Sequence, residues 1–150
     1  MHRRLSALLV VAALAGACRK DGTGTAPPVP ISTETFKDTV GEIQIDVGYR
    51  AQSGREVEIV VNMKAIGIDE MDKIVLDVTV EGFVLVAGEP EWSGFVAPRQ
   101  PIRHQVGFKL LDENEHGELL VTVRRSKDSE LLYERRLPFV ADGDRLAPES

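Results

Sequence analysis

From residue 41 onward, apolar side chains recur at every second position of the chain. Ile43, Ile45, Val47 and Tyr49 alternate with Gln44, Asp46 and Gly48, which places the apolar set on one face of a strand. Val57, Ile59, Val61 and Met63 repeat the pattern, and Ile74, Leu76, Val78 and Val80 do so again. Residues 83–87 are apolar throughout and predict a short strand with both faces apolar. Residues 102–110 alternate against Arg103, Gln105 and Lys109, and two further inward sets follow: Leu119, Val121 and Val123, then Leu131, Tyr133, Leu137 and Phe139. Turn residues punctuate these runs at 52–54, 81–82, 88–90, 114–117 and 126–129. About seven strands at this spacing, with no helical period among them, predict an all-β fold. The expected form is a single antiparallel β-sandwich over residues 41–141, followed by a polar tail at 142–150. Residues 65–72 are ambiguous, because Ile66, Ile68 and Met71 fit either one helical turn or a strand bridging the sandwich.

The first 40 residues have a different character. Arg3 and Arg4 precede an apolar stretch over residues 5–14, and small residues Ala15, Gly16 and Ala17 lead to Cys18, the only cysteine. The stretch is shorter than the roughly 20 apolar residues of a membrane-spanning helix. Arg19, Lys20 and Asp21 interrupt it at once. Leu14-Ala15-Gly16-Ala17-Cys18 resembles the lipobox of bacterial lipoprotein signal peptides, although Ala15 stands where the family usually has leucine. The resemblance implies cleavage after residue 17, lipid on Cys18 and a membrane anchor in the cell envelope. Arg19, in place of an aspartate after the cysteine, implies the outer membrane over the inner, with the protein facing the periplasm. The competing expectation is an ordinary secretory signal, which would leave Cys18 as an unpaired thiol in an oxidising compartment. Residues 18–40, with Gly22, Gly24, Pro27, Pro28 and Pro30 among threonines, read as a flexible tether.

The strand pattern, together with Trp92-Ser93-Gly94-Phe95-Val96-Ala97-Pro98 ahead of a long alternating strand, resembles the immunoglobulin-like and fibronectin-like accessory domains of bacterial envelope proteins. That resemblance spans most of residues 41–142 and carries no function by itself.

Charge narrows the classes of partner. The chain holds 18 Lys and Arg against 24 Asp and Glu; without Arg3 and Arg4 the expected mature part has 16 basic and 24 acidic side chains, a net charge of −8. Such a surface repels phosphate backbones and anionic headgroups, so nucleic acid is disfavoured as a partner and any membrane attachment falls to the lipid. Residues 31–98 carry 5 basic and 13 acidic groups, whereas residues 99–136 carry 8 and 7.

Catalytic chemistry finds little footing. Beyond residue 18 the histidines are His104 and His116, and no Gly-x-Ser-x-Gly elbow is present. His104 shares its parity with Ile102, Val106 and Phe108 and is expected to be a core histidine with one bonded nitrogen. Asp112, Asn114 and Gly117 match positions one, three and six of a calcium loop, but Val123 stands where the closing glutamate belongs, so an acidic hairpin turn is expected there. No cofactor, metal or catalytic site is predicted. Trp92, the only indole, lies in a loop near Glu89 and Glu91, where it either caps the core or, exposed, stacks on a sugar or anchors a partner. Arg124, Arg125, Arg135 and Arg136 are expected to lie close together on the final hairpin, interleaved with Glu118, Glu130 and Glu134 as a salt-bridged face or a partner surface.

The resulting expectation is a lipid-anchored, non-catalytic accessory or adaptor that binds another envelope protein through a sheet edge or loop tips. The alternative is a carbohydrate-binding module that uses Trp92. Radiolabelled palmitate should enter the wild-type protein and not Cys18→Ser; equal labelling of the two contradicts the lipobox reading.

Overall fold

The computed structural model describes residues 26–38, 41–66, 73–97 and 99–150. The leader, the lipobox and Cys18 lie outside these residues, as does 67–72, the greater part of the ambiguous stretch.

Ten strands form two antiparallel five-stranded sheets packed as a sandwich, with no helix among the described residues. In chain order they are β1 (Val29–Asp38), β2 (Gly41–Gln52), β3 (Glu56–Ile66), β4 (Ile74–Glu81), β5 (Phe83–Ala87), β6 (Glu91–Gly94), β7 (Ile102–Leu110), β8 (His116–Arg125), β9 (Leu131–Asp142) and β10 (Arg145–Pro148). The first sheet has the order β1-β2-β3-β7-β5 and the second β10-β9-β8-β4-β6. The expected all-β sandwich is present, with ten strands in place of about seven.

All three added strands fall in segments expected to be irregular, β6 replacing the loop expected around Trp92 by pairing along β4. Val29–Asp38, assigned to the tether, pairs along β2 from Val29 opposite Tyr49 to Asp38 opposite Gly41. Pro30 is compatible with this because β1 is an edge strand, and the register shifts between Pro30 and Ser32. Ile31, at that shift, packs against the core. In the expected polar tail, a tight turn through Gly143 at φ +61° lets β10 return along β9 and bury Leu146.

Alternation places the core. Ile43, Ile45, Val47, Val57, Ile59, Val61, Met63, Ile74, Leu76, Val78, Leu119, Val121 and Val123 are all buried on the two inner faces. Each fully buried side chain of this size contributes about 1.5–3 kcal/mol relative to exposure. Phe139 joins the two faces: its ring meets Tyr49 of β2 edge-on at 5.5 Å and Phe83 of β5 at 6.4 Å. At the open side, the Ser32 hydroxyl on β1 and the Tyr133 hydroxyl on β9 are hydrogen-bonded at 2.5 Å.

Two inward assignments, Leu131 and Val80, are corrected, and the strand expected to be apolar on both faces buries one residue. Leu131 is 41% exposed, because a bulge between Val123 and Arg124 sets Tyr133 opposite Val123 and Leu131 opposite Arg124, leaving Leu132 to be buried. Val80, at the end of β4, is exposed. In β5 only Phe83 is buried.

The turn signals mark where strands end and not which strand comes next. Among the ten described strands the chain changes sheet at five connections: β3 to β4, β4 to β5, β5 to β6, β6 to β7 and β7 to β8. Gly82 alone separates β4 from β5, at φ +77°, a conformation that favours glycine. Residues 111–115 likewise cross between the sheets, so the acidic hairpin expected there is an arch.

Gly117 is required for another reason. It lies opposite Phe139, and a Cβ there would overlap the Phe83 ring and come within 2.7 Å of Leu110 Cδ1. Gly117→Ala should therefore destabilise the fold by about 1–3 kcal/mol through overpacking, measured by urea unfolding. An unchanged midpoint contradicts the assigned packing of Phe83 over Gly117.

Candidate functional site

The predicted arginines do not form one patch. Arg124 stands opposite Leu131, whereas Arg136 stands opposite Leu120, four residues away along the same strand. Strand alternation sends Arg125 and Arg135 to the opposite parity from these two. Two of the four are held by acids: Arg136 Nη1 lies 2.6 Å from Glu118 Oε1, and Arg125 lies 3.3 Å from Glu130 and 3.7 Å from Asp128. Arg124 donates to the Ser129 carbonyl at 3.4 Å, and Arg135 is exposed. The face is a set of local pairs across and beside the hairpin.

Trp92 is in β6, opposite Leu76, and shares the inward parity of its neighbour. It is half-buried against the core, and its ring overlies Gly94, where a Cβ would come within 2.8 Å of the indole. Trp92 thus covers the edge of the core.

His104 keeps the expected single bond, Nε2 donating to the Glu89 carbonyl at 2.7 Å, but it is only half-buried. Its bond ties β7 to the connection between β5 and β6. The loop at 111–115 is organised by Arg55, whose guanidinium donates to the carbonyl oxygens of Asp112, at 3.1 Å, and Asn114. Arg55 itself occupies φ +59° in the β2–β3 turn, and its amide donates to the Asp144 carbonyl at 2.8 Å. One side chain and its backbone therefore join three loops at this end of the sandwich. Nothing in the local sequence around Arg55 signals this, since the three loops meet only after both sheets form. Asn114 completes the arch by donating from Nδ2 to the Gly82 carbonyl at 3.2 Å. Among the described residues, no group of three or more His, Cys, Asp or Glu is placed to hold a metal ion.

Two shallow grooves accompany these features. One, of about 410 Å³, is bordered by Glu81, Asn114, His116, Glu118, Pro138 and Glu149, with His116 Nδ1 3.2 Å from Glu149 Oε2. The other, of about 320 Å³, is bordered by Val29, Tyr49, Ala51, Leu146, Ala147 and Pro148.

The feature that sequence reasoning missed is the free side of β5. Val84, Leu85 and Val86 are 45%, 42% and 46% exposed in succession, on a strand whose other side pairs with β7. The three other sheet edges contain charges: Glu34, Lys37 and Asp38 in β1, Glu91 in β6 and Arg145 in β10. Sheet edges usually carry charge, proline or a bulge that discourages further pairing. β5 has only a bulge between Leu85 and Ala87, and no charged or proline residue. Its uniform apolar run was the available signal, but that run fits a buried central strand equally well. Chemically, such an edge offers unpaired backbone groups and three apolar side chains to an added strand.

No family model matches the chain, and comparison with curated proteins gives no match.

Proposed function

We propose that this chain is a lipid-anchored, non-catalytic protein-binding module of the bacterial cell envelope, serving as an accessory or adaptor subunit. The observation that carries the binding role is the uncharged, exposed edge of β5, with Val84, Leu85 and Val86 in succession. Addition of a partner strand there satisfies backbone donors and acceptors and removes apolar surface from water in one step. The anchoring and the envelope location rest on the resemblance of residues 1–18 to a lipoprotein signal. The acidic balance beyond Cys18 fits attachment through lipid rather than through a basic surface.

Carbohydrate binding through Trp92 is the weaker reading, because the ring packs against the core and over Gly94. A photo-crosslinking residue at Val84, in the cells that make the protein, should give discrete adducts that the same residue at exposed Glu134 does not. Identical adduct patterns from the two positions contradict the proposal.

A further inference from the structure

We propose, building on the protein-binding reading, that the β5 edge accepts an extended apolar segment flanked at both ends by lysine or arginine. The argument starts from what borders the strand. At its beginning, the Leu111 amide donates to the Gly82 carbonyl at 3.0 Å, which sets the 111–115 arch beside the entry to β5. Leu111 is itself exposed and extends the apolar surface, and Asp112 and Glu113 follow it, both exposed. At the other end, Gly88 leads directly to Glu89 and then to Glu91, again exposed.

Three bases border these carboxylates, Arg55, Lys109 and His104, and the Arg55 guanidinium donates to the backbone carbonyls of Asp112 and Asn114 rather than to a carboxylate. Lys109, opposite Val84 in the β5–β7 ladder, lies 3.5 Å from Asp112 Oδ1 and leaves Glu113 untouched. His104 bonds the backbone carbonyl of Glu89 and not its carboxylate. An incoming strand therefore meets an uncharged middle about 17 Å long, at 3.3–3.4 Å for each of its residues, with acids at both ends. Apolar side chains in its centre would pack on Val84 and Val86, and cationic side chains beyond them would meet Asp112 and Glu113 at one end and Glu89 and Glu91 at the other.

The same arrangement argues against a second copy of this chain as the occupant. Antiparallel pairing of β5 with itself sets Asp112 and Glu113 of one copy toward Glu89 and Glu91 of the other. Parallel pairing sets each acidic end against its own kind. Both arrangements place like charges together at each end of the strand.

Two labelled peptides test the proposal against the full-length protein in detergent, each with a Val-Thr-Val-Thr-Val centre and flanked either by Lys-Lys or by Glu-Glu at both ends. Fluorescence anisotropy at about 0.1 M salt, where screening acts over roughly 10 Å, should show the Lys-flanked peptide binding at least about tenfold more tightly. The Glu89→Lys/Glu113→Lys double variant should erase or reverse that preference, and the uncharged Val84→Asn/Val86→Asn variant should weaken both peptides. Equal affinities that still depend on Val84 and Val86 overturn the cationic flanks while leaving strand addition standing. No binding by either peptide, or binding indifferent to Val84→Asn/Val86→Asn, overturns the site itself. A protein dimer that Val84→Asn/Val86→Asn dissolves assigns the edge to a second copy and overturns the proposal.

Discussion

The ring of Phe139 reaches from the second sheet to Tyr49 and Phe83 of the first, and the missing side chain at Gly117 leaves the space that Phe83 fills. The rest of the sandwich depends on this seam. The only cysteine is Cys18, so no disulfide staples the sheets, and their alignment rests on interdigitated apolar side chains. Phe83 is also the first residue of β5. The contact that fixes the two sheets thus anchors one end of the strand whose next three residues face solvent.

That coupling separates stability from availability. Phe83 secures β5 through the core, and the ladder to β7 secures its backbone on one side, so Val84, Leu85 and Val86 are held extended while remaining accessible. An edge held in strand geometry before binding spares part of the ordering cost that a flexible segment would incur. Arg55 contributes at the same end by fixing the 111–115 arch against the β2–β3 and β9–β10 turns, which holds the acidic residues of the arch near the entry to β5. Arg125 and Arg136 of the last hairpin serve a different purpose, pairing locally with Asp128, Glu130 and Glu118.

Much of the inner surface was legible in the sequence because strand parity is a local property. The sets around Ile45, Ile59, Leu76 and Val121 could be assigned from alternation alone, and all four residues are buried. Connectivity was not legible, since the turn residues at 81–82 and 111–115 read alike whether a chain doubles back in one sheet or crosses to the other. The register slip that exposes Leu131 and buries Leu132 has no local mark either. β1 and β10 were concealed by the prolines and polar residues around them, which edge strands tolerate. The candidate site was missed for a related reason. An apolar run such as 83–87 reads as buried until topology puts it at an edge, and only the folded chain shows which of its residues have neighbours.

The central claim is that β5 is an interaction edge whose exposed side chains do not contribute to the fold. The most direct measurement is the sedimentation of the protein in detergent extracts of the cells that make it, compared for the wild type and Val84→Lys, with urea unfolding of both purified proteins as the control. The account predicts that the wild type sediments as part of a larger complex and that Val84→Lys sediments as a free chain with an unchanged unfolding midpoint. Retention of Val84→Lys in a complex of the same size, with its fold intact, would contradict it.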